Sequence, residues 1–274
     1  MKDSRTHILL TNDDGIQSPG LWAAAEALSR LGYVTVAAPR DQASGTGRSV
    51  PIGSDGRIQQ ITLRIGQQDW TVFSIGGTPA QVVGHALLEL MPVKPDLVVS
   101  GINYGENVGE GVTASGTVGA ALEAASFGIP AIAASLQLMD GGYYGYSTEV
   151  DFSTAAHFTA YCAERLLAGR FLPDVDVLKV DVPAHATPQT PWRIARMSKA
   201  RYFIPLVKRK GALEEPGPLG YKIEIDRSKV EPDSDIHVLM YNHEVAVCPM
   251  SLEMTSRVNF HDLDARLRAD TPDL

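Results

Sequence analysis

Short apolar runs alternate with longer segments of helical periodicity along the first half of the chain, and this alternation most constrains the fold. His7–Thr11 is apolar and ends in Asn-Asp-Asp-Gly, and Leu21–Leu31 repeats apolar residues at helical spacing until Gly32. Strands and helices that alternate at this length are typical of a mostly parallel sheet with helices on both faces. We therefore predict an α/β fold of three layers.

Further runs of the same kind extend this pattern into a Rossmann-like sheet with right-handed crossovers. The other predicted strands are Tyr33–Ala38, Ile58–Ile65, Trp70–Ile75, Asp96–Ser100, Ala131–Ser135, Val177–Val182 and Arg193–Met197, and the other predicted helices are Pro79–Leu90, Ser115–Phe127 and Thr154–Leu167. Such sheets bind ligands outside the carboxyl ends of their strands. Chemistry is therefore expected in three loops that follow strands: Asn12–Gly20, Pro39–Ser54 and Gly101–Ala114.

The second half of the chain is less regular, and we divide the chain into three regions. We predict an α/β catalytic core over residues 1–200, a projecting hairpin or arm over residues 201–247, and a C-terminal extension over residues 248–274. The arm contains two predicted strands, Tyr221–Ile225 and Ile236–Met240. Two short strands bury little apolar surface by themselves, so we expect the arm to pack on a partner subunit.

Charge and cysteine content exclude several classes of partner. Lys and Arg total 24 against 32 Asp and Glu, and without a long basic run we expect no duplex nucleic acid as a partner. Cys162 and Cys248 lie far apart in apolar runs, which fits reduced thiols and a cytoplasmic location. The apolar stretch of "MKDSRTHILL" is too short for a signal peptide, and no run approaches the roughly twenty apolar residues that span a bilayer. We expect no membrane partner.

Two adjacent carboxylates, Asp13 and Asp14, follow the first predicted strand. The chain turns at a strand end, so both side chains can converge on one point, where hard carboxylate oxygens suit Mg²⁺ or Mn²⁺. In the alternative, Asp13 caps the following turn and Asp14 is solvated, since Asp and Gly are ordinary turn residues. For an isolated Asp-Asp-Gly this alternative is the more common one.

Neutral oxygen donors in the other two loops favour the metal site. Ser44 lies in the second loop, and Asn103 and Asn107 lie between glycines in the third. Such side chains complete a hard-metal shell without adding negative charge, and glycine lets the backbone approach a ligand closely. Each loop alone is weak support, because a Gly-rich loop is usually a flexible turn.

A predicted helix start at Ser115, Gly116 and Thr117 supplies a positive feature. The free N–H groups and the dipole of a first helical turn accept an anion such as phosphate. Ser115 can equally be an ordinary N-cap, and the two interpretations are compatible. An anionic substrate needs such a local feature because the net charge of the chain is -8.

Taken together, these loops resemble those of the SurE survival proteins, a family of metal-dependent 5'/3'-nucleotidases that also act as phosphatases. Six motifs occur in the order and spacing of that family: "ILLTNDDG" at 8–15, "APRDQASG" at 38–45, "GGTPA" at 76–80, "VSGINYGENVG" at 99–109, "SGTVG" at 115–119 and "GIPAIAAS" at 128–135. The resemblance implies an enzyme that removes phosphate from nucleoside 5'- or 3'-monophosphates. It also implies homodimers or homotetramers built through the C-terminal region.

The resemblance further implies which residues form the site. One divalent ion per subunit, Mg²⁺ or Mn²⁺, would be bound by Asp13, Asp14, Ser44 and Asn103. The substrate phosphate would contact Asn107, Ser115, Gly116 and Thr117, and Asn12 would order the site. Asp13, Asp14 and Asn107 are the expected catalytic residues. The ion would neutralise phosphoryl oxygens and activate water, giving an alcohol and inorganic phosphate.

Departures from the family pattern leave the leaving group open. Gln81-Val82 stands where the family usually has Asp-Cys, and Ala114 where it has Tyr. The later family element "LNVNVP" appears as "LKVDVP" at 178–183, and the usual Gly-Tyr-Val near the C-terminus appears as "HEVAVCP" at 243–249. The substituted positions and the arm could reshape the nucleoside pocket, so one alternative function is a phosphatase specialised for another phosphorylated metabolite.

Other classes of protein fit the sequence less well. A dinucleotide-binding oxidoreductase would need G-x-G-x-x-G in the first loop, where two carboxylates stand instead. A haloacid-dehalogenase-type phosphatase would need Asp-x-Asp, whereas Asp13 and Asp14 are adjacent. A metal- or nucleotide-binding module without turnover remains a second alternative.

Overall fold

A nine-stranded sheet forms the centre of the computed structural model, which describes residues 5–65, 67–139, 149–170 and 172–269. The strands of the chain are β1 His7–Thr11, β2 Tyr33–Pro39, β3 Ile58–Ile65, β4 Gln68–Ile75, β5 Leu97–Tyr104, β6 Ala131–Leu136, β7 Val177–Val182, β8 Trp192–Ile194, β9 Phe203–Val207, β10 Leu219–Ile223 and β11 Val245–Met250. Across the sheet their order is β3-β4-β2-β1-β5-β6-β7-β11-β8, while β9 and β10 form a separate antiparallel hairpin.

Six neighbouring strands, from β4 to β7 in that order, are all parallel. Among the strands described, the main sheet has two antiparallel pairs, β3 with β4 and β11 with β7, and the edge strand β8 is parallel to β11. Successive strands lie to one side of β1 through β2 to β4, and to its other side through β5 to β7. The strand order therefore reverses between β1 and β5, which is where open α/β sheets bind ligands, at the carboxyl ends of the strands.

Helices cover both faces of the sheet, as predicted. On one face lie α1 and α4, and on the other lie α2 and α3. Their bounds are α1 Pro19–Leu28, α2 Pro79–His85, α3 Gly116–Ser126 and α4 Ser153–Leu167, and a π-helical turn, Ala86–Leu90, extends α2.

The pleat of β1 explains why each face has its own core. Ile8 and Leu10 point to one side and pack with residues of α1 and α4, whereas Leu9 points to the other side and packs with residues of α2 and α3. All three side chains are fully buried. The three-layer, mostly parallel α/β architecture predicted from the sequence is confirmed.

One predicted strand of the arm, Ile236–Met240, is wrong, because those residues belong to a helix, α5 Asp235–Met240. The alternating Ile236, Val238 and Met240 suggested a strand. Ser234, however, caps the first turn by accepting a hydrogen bond from the His237 N–H at 3.3 Å. Ile236 and Leu239 then enter one buried cluster while Val238 enters another, so a short helix buries the same side chains.

Other predicted bounds need smaller corrections. The arm contains the β9–β10 hairpin, so the predicted strand Tyr221–Ile225 is the second half of a real hairpin. The predicted strand Arg193–Met197 is shorter, since β8 ends at Ile194. The loop Gly101–Ala114 is more ordered than expected: β5 continues to Tyr104, and a 3₁₀ segment occupies Gly109–Ala114. The proposed division into three regions stays a prediction.

The C-terminal region contributes one strand to the main sheet and then continues outside the sheet as a helix. β11 pairs with both β7 and β8, and α6 Phe260–Arg268 follows as an exposed helix capped by Asn259. Cys162 and Cys248 are buried free thiols, and burial raises their pKa values to about 11 and about 12, so both stay protonated. Within the described ranges, no helix has the length and apolar character needed to cross a bilayer.

Candidate active site

The carboxyl ends of β1 and β5 bring the predicted site residues to one place. Asn12 directly follows β1 and bends the chain, because its side chain bonds the N–H of Gly15 at 3.1 Å and the C=O of Gly15 at 3.0 Å. This turn fixes the two residues between them, Asp13 and Asp14. Both carboxylates are buried, with exposed fractions of 3% and 2%.

Asp13 faces the N-terminus of α3. The Thr117 hydroxyl donates to Asp13 Oδ1 at 2.6 Å. Burial raises the pKa of Asp13, and hydrogen bonds from the Thr117 side chain and from the backbone N–H groups of Thr117 and Gly116 oppose that rise. Gly116 is required by this close approach, since a Cβ atom there would lie 2.8 Å from the Asp13 Cβ. The helix N-terminus thus already accepts one anion, the Asp13 carboxylate.

Asp14 connects the first loop to the other two. Its Oδ2 accepts a hydrogen bond from the Tyr104 N–H at 3.2 Å, and its Oδ1 accepts one from the Gln42 amide at 3.1 Å. Burial, together with repulsion from Asp13, raises the pKa of Asp14 to about 8. Two neighbouring acids with raised pKa values form a site at which a bound cation would be strongly favourable.

Neutral oxygens complete the neighbourhood of this acid pair. Asn103 donates from its amide nitrogen to the carbonyl of Gly105 at 2.7 Å, which leaves its amide oxygen as the group suited to a cation. Ser44 lies exposed in the second loop, and both residues line the same cleft as Asp13. No group of three His, Cys, Asp or Glu side chains able to bind a metal occurs within the described ranges. Any ion here would therefore depend on amide and hydroxyl oxygens beside Asp13 and Asp14.

The residues predicted to contact phosphate divide into two groups. Asn107 and Ser115 line the cleft. Asn107 donates from its amide nitrogen to the Ser135 hydroxyl at 2.9 Å, and because an amide nitrogen carries two N–H donors, one is left for a ligand. Ser115 caps α3 by accepting from the Val118 N–H at 3.1 Å, as the N-cap interpretation predicted.

Thr117 belongs to the second group. Its side chain is fully buried, and its hydroxyl is bonded to Asp13. Gly116 likewise lies against Asp13. The structure therefore describes both residues as partners of the acid pair, and their contact with phosphate stays a prediction.

The cleft is about 1070 Å³ in volume, and the arm forms one of its walls. Arg201, Phe203, Pro205 and Tyr221 of the arm line the cleft, and Lys199, which precedes the arm, adds positive charge beside them. The guanidinium of Arg201 pairs with Glu110 at 2.6 Å, which ties the base of the hairpin to the third loop. From its sequence the arm is expected to pack on a partner subunit and to be able to reshape the nucleoside pocket, but the sequence did not identify which arm residues would line the cleft.

Several residues that support the site were missed from the sequence. Gln42 and Ser135 lie inside quoted motifs without having been assigned a role. Asp181 accepts a hydrogen bond from the Asn107 N–H at 2.7 Å. The signal that could have identified it is the pair of charges in "LKVDVP", since Lys179 and Asp181 interrupt an otherwise apolar strand.

Comparison with known proteins supports one family. The profile described as Survival protein SurE matches residues 8–203. The chain is 36% identical over 267 residues to 5'-nucleotidase SurE of Methanosarcina barkeri, covering 95% of this chain and 97% of the relative. It is 40% identical over 255 residues to 5'-nucleotidase SurE of Archaeoglobus fulgidus, covering 92% and 94%. A crystal structure of the SurE protein from Aquifex aeolicus superposes with a TM-score of 0.72 at 29% identity, covering 94% of this chain and 97% of that one.

Proposed function

The chain belongs to the survival protein SurE family, and from that premise we propose that it hydrolyses phosphate monoesters with a divalent ion, nucleoside 5'- and 3'-monophosphates being its substrates. The relatives named 5'-nucleotidase SurE match this chain over almost their whole length, and this chain is an enzyme of the same type. The observation that carries the proposal is the buried acid pair Asp13 and Asp14 at the point where the strand order reverses.

The donor set fits a hard divalent cation. Asp13 and Asp14 supply charge, and Ser44 and Asn103 supply neutral oxygen, a combination that suits Mg²⁺ or Mn²⁺. The raised pKa values of both acids support this assignment, because a cation would remove the repulsion between them. When bound, such an ion neutralises phosphoryl oxygens and lowers the pKa of a coordinated water.

The protein's own residues orient the acids and the substrate. Gln42 and the Tyr104 N–H fix the carboxylate of Asp14, and Thr117 fixes that of Asp13. We assign Asn107 and Ser115 to the phosphoryl oxygens, because both residues line the cleft. Lys199, at the cleft wall, adds positive charge for an anionic substrate that the overall charge of the protein would repel, while Arg201 is already paired with Glu110.

The arm supplies the surface that would select the leaving group. Phe203 and Tyr221 both line the cleft and pack edge to face, with ring centroids 5.1 Å apart. Aromatic rings bind nucleobases by stacking without reading their sequence. These two rings favour a nucleoside as the leaving group, while a different phosphorylated metabolite is the second candidate because the third loop, which also lines the cleft, departs from the family pattern at Ala114.

Assembly and location complete the proposal. Val207, Leu213 and Leu219 of the hairpin region are exposed large apolar side chains, a distribution that favours a homodimer or homotetramer in which the arm packs on another subunit. Two free buried thiols fit the reducing cytoplasm. Light scattering coupled to size-exclusion chromatography would count the subunits.

A phosphatase screen tests the function directly. The full-length protein is incubated with nucleoside 5'- and 3'-monophosphates, sugar phosphates and p-nitrophenyl phosphate, in Mn²⁺, in Mg²⁺ and in chelator. We expect release of inorganic phosphate from the nucleotides in Mn²⁺ or Mg²⁺ and none in chelator. Release from sugar phosphates alone would favour the second candidate, and nucleotide binding without any release would contradict hydrolysis.

A further inference from the structure

A second group of buried charges lies behind the third loop. Lys179 and Asp181 are two apart on β7 and so point to the same face of the sheet. The ammonium of Lys179 lies 2.5 Å from Asp181 Oδ2 and 3.1 Å from Asp235 Oδ2, Asp235 being the first residue of α5. None of the three side chains is exposed to solvent.

Each carboxylate of this group also accepts hydrogen bonds from the walls of the cleft. Asp181 Oδ1 accepts from the Asn107 N–H at 2.7 Å. Asp235 Oδ2 accepts from the Gly109 N–H at 3.0 Å, and its Oδ1 accepts from the Ser198 N–H at 2.9 Å. One ammonium thus links two carboxylates that fix the third loop and the base of the arm.

Stability alone does not account for these charges. An ion pair taken out of water loses about as much in desolvation as it gains in attraction, and apolar residues of the same volume are often at least as stable. Burial acts to lower the pKa of Lys179, but the charges of Asp181 and Asp235 outweigh this effect and raise it, so the side chain stays an ammonium. What the charges provide, and apolar residues would not, is directed acceptors for the loop N–H groups.

Asn107 is the residue that benefits most directly. Its backbone is bonded to Asp181 on β7, and its amide nitrogen is bonded to Ser135 on β6. Ser135 and Asp181 are register partners on these neighbouring strands. Asn107 is therefore fixed at two points over one strand pair, which sets the direction of its remaining amide N–H.

We infer that Asp181 and Asp235, neutralised by Lys179, are positioning residues that orient Asn107 toward the substrate phosphate. The inference rests on the proposed function, because it takes Asn107 as a phosphate ligand. The three residues do not touch the substrate themselves; they act through the backbone of Asn107 and Gly109.

A double-mutant cycle between Asp181→Asn and Asn107→Ala tests the inference, with inorganic phosphate as the probe in an inhibition assay. Asp181→Asn is expected to raise the phosphate inhibition constant about tenfold in the natural background and less than about twofold in the Asn107→Ala background. The Mn²⁺ affinity of Asp181→Asn is expected to stay within about twofold of that of the unsubstituted protein, since the bonds described for Asp181 go to Asn107 and Lys179 and not to the proposed metal ligands. If Asp181→Asn raises the phosphate inhibition constant by the same factor in both backgrounds, the inference is overturned and the role of Asp181 is merely structural.

Asp176→Asn is the matched control. Asp176 precedes the same strand and also accepts a backbone hydrogen bond, from Leu252 at 2.7 Å, but it does not line the cleft. The phosphate inhibition constant of this variant should not change. If Asp181→Asn fails to fold, Asp235→Asn takes its place in the cycle, with the same expected loss of effect when Asn107 is absent. If phosphate inhibits the Asn107→Ala variant as strongly as the unsubstituted protein, the result would instead contradict the part of the proposed function that makes Asn107 a phosphate ligand.

Discussion

Two pairs of buried carboxylates bond opposite ends of the same loop, and their charges are balanced differently. Asp14 accepts from the N–H of Tyr104 at the start of that loop, and its neighbour Asp13 faces the hydroxyl of Thr117. At the other end, Asp181 and Asp235 share the ammonium of Lys179. The first pair is surrounded by neutral donors, whereas the second pair contains its own cation.

This difference shows that burial of acids does not by itself indicate a metal site. Asp13 and Asp181 are both buried, with exposed fractions of 3% and 0%. The pair with a lysine forms a closed, neutralised network, and we interpret it as a support for the loop. Burial raises the pKa of Asp181 as well as those of Asp13 and Asp14, so a raised pKa does not separate the two pairs. Asp13 lines the cleft, and we interpret the first pair as the place where a cation enters from solution.

The largest expected effect is on turnover when the first pair is broken. Asp13→Asn should lower kcat/KM for p-nitrophenyl phosphate by on the order of 10³-fold or more, because the ion that neutralises the phosphoryl group is lost. In chelator the variant should be at least as stable as the unsubstituted protein, since a repelling buried charge is removed. Exposed Asp69→Asn on the β3–β4 hairpin is the control and should keep full activity. A folded Asp13→Asn protein with normal turnover would refute the site.

Breaking the second pair should lower the stability of the protein, whereas Asp13→Asn in chelator should not. Lys179→Met leaves Asp181 and Asp235 buried without their cation and should destabilise the protein by about 3 kcal/mol. Denaturant unfolding followed by circular dichroism measures the change. Exposed Lys229→Met is the control, and it should alter the unfolding free energy little. Equal stability of Lys179→Met and the unsubstituted protein would remove the contrast between the two pairs.

Metal addition should distinguish the two pairs as well. Mn²⁺ at one hundred times its dissociation constant should stabilise the unsubstituted protein by about 2.7 kcal/mol, because it binds the folded state alone. The same stabilisation is expected in Asp181→Asn and is expected to vanish in Asp14→Asn. Calorimetric scans in Mn²⁺ and in chelator provide the measurement, and stabilisation that persists in Asp14→Asn would place the ion elsewhere.

The sequence was sufficient for the first pair because its residues lie in loops whose position follows from the fold. Alternating strands and helices predict a parallel sheet, and the carboxyl ends of parallel strands meet at one edge. The sequence therefore predicted, without any knowledge of side-chain packing, that Asn12, Asp13, Asp14 and Asn103 lie at the same edge of the sheet. The same reasoning could not decide whether Thr117 bonds Asp13 or contacts the phosphate, because either partner would lie beside the first turn of the same helix.

The second pair could not be predicted because it forms through tertiary contacts. Asp235 lies far from Lys179 along the chain. It is the first residue of a helix that was predicted as a strand because Ile236 and Val238 alternate with polar residues. A capping side chain, Ser234, decided between the two structures. The sequence indicated that the arm could reshape the nucleoside pocket, but which arm residues line the cleft depends on tertiary contacts of the same kind.

The smallest expected effect separates the two roles of Thr117. Thr117→Val keeps the shape of the side chain but removes the 2.6 Å hydrogen bond to Asp13, and a metal ligand that loses such a partner should bind Mn²⁺ about tenfold more weakly. Calorimetric titration with Mn²⁺ measures this, with Thr159→Val as the control, because that buried hydroxyl bonds the Ala155 carbonyl in α4. Unchanged Mn²⁺ affinity together with weaker inhibition by phosphate would mean instead that Thr117 contacts the substrate. Either result fixes whether the first turn of α3 acts on the acid pair or on the phosphate.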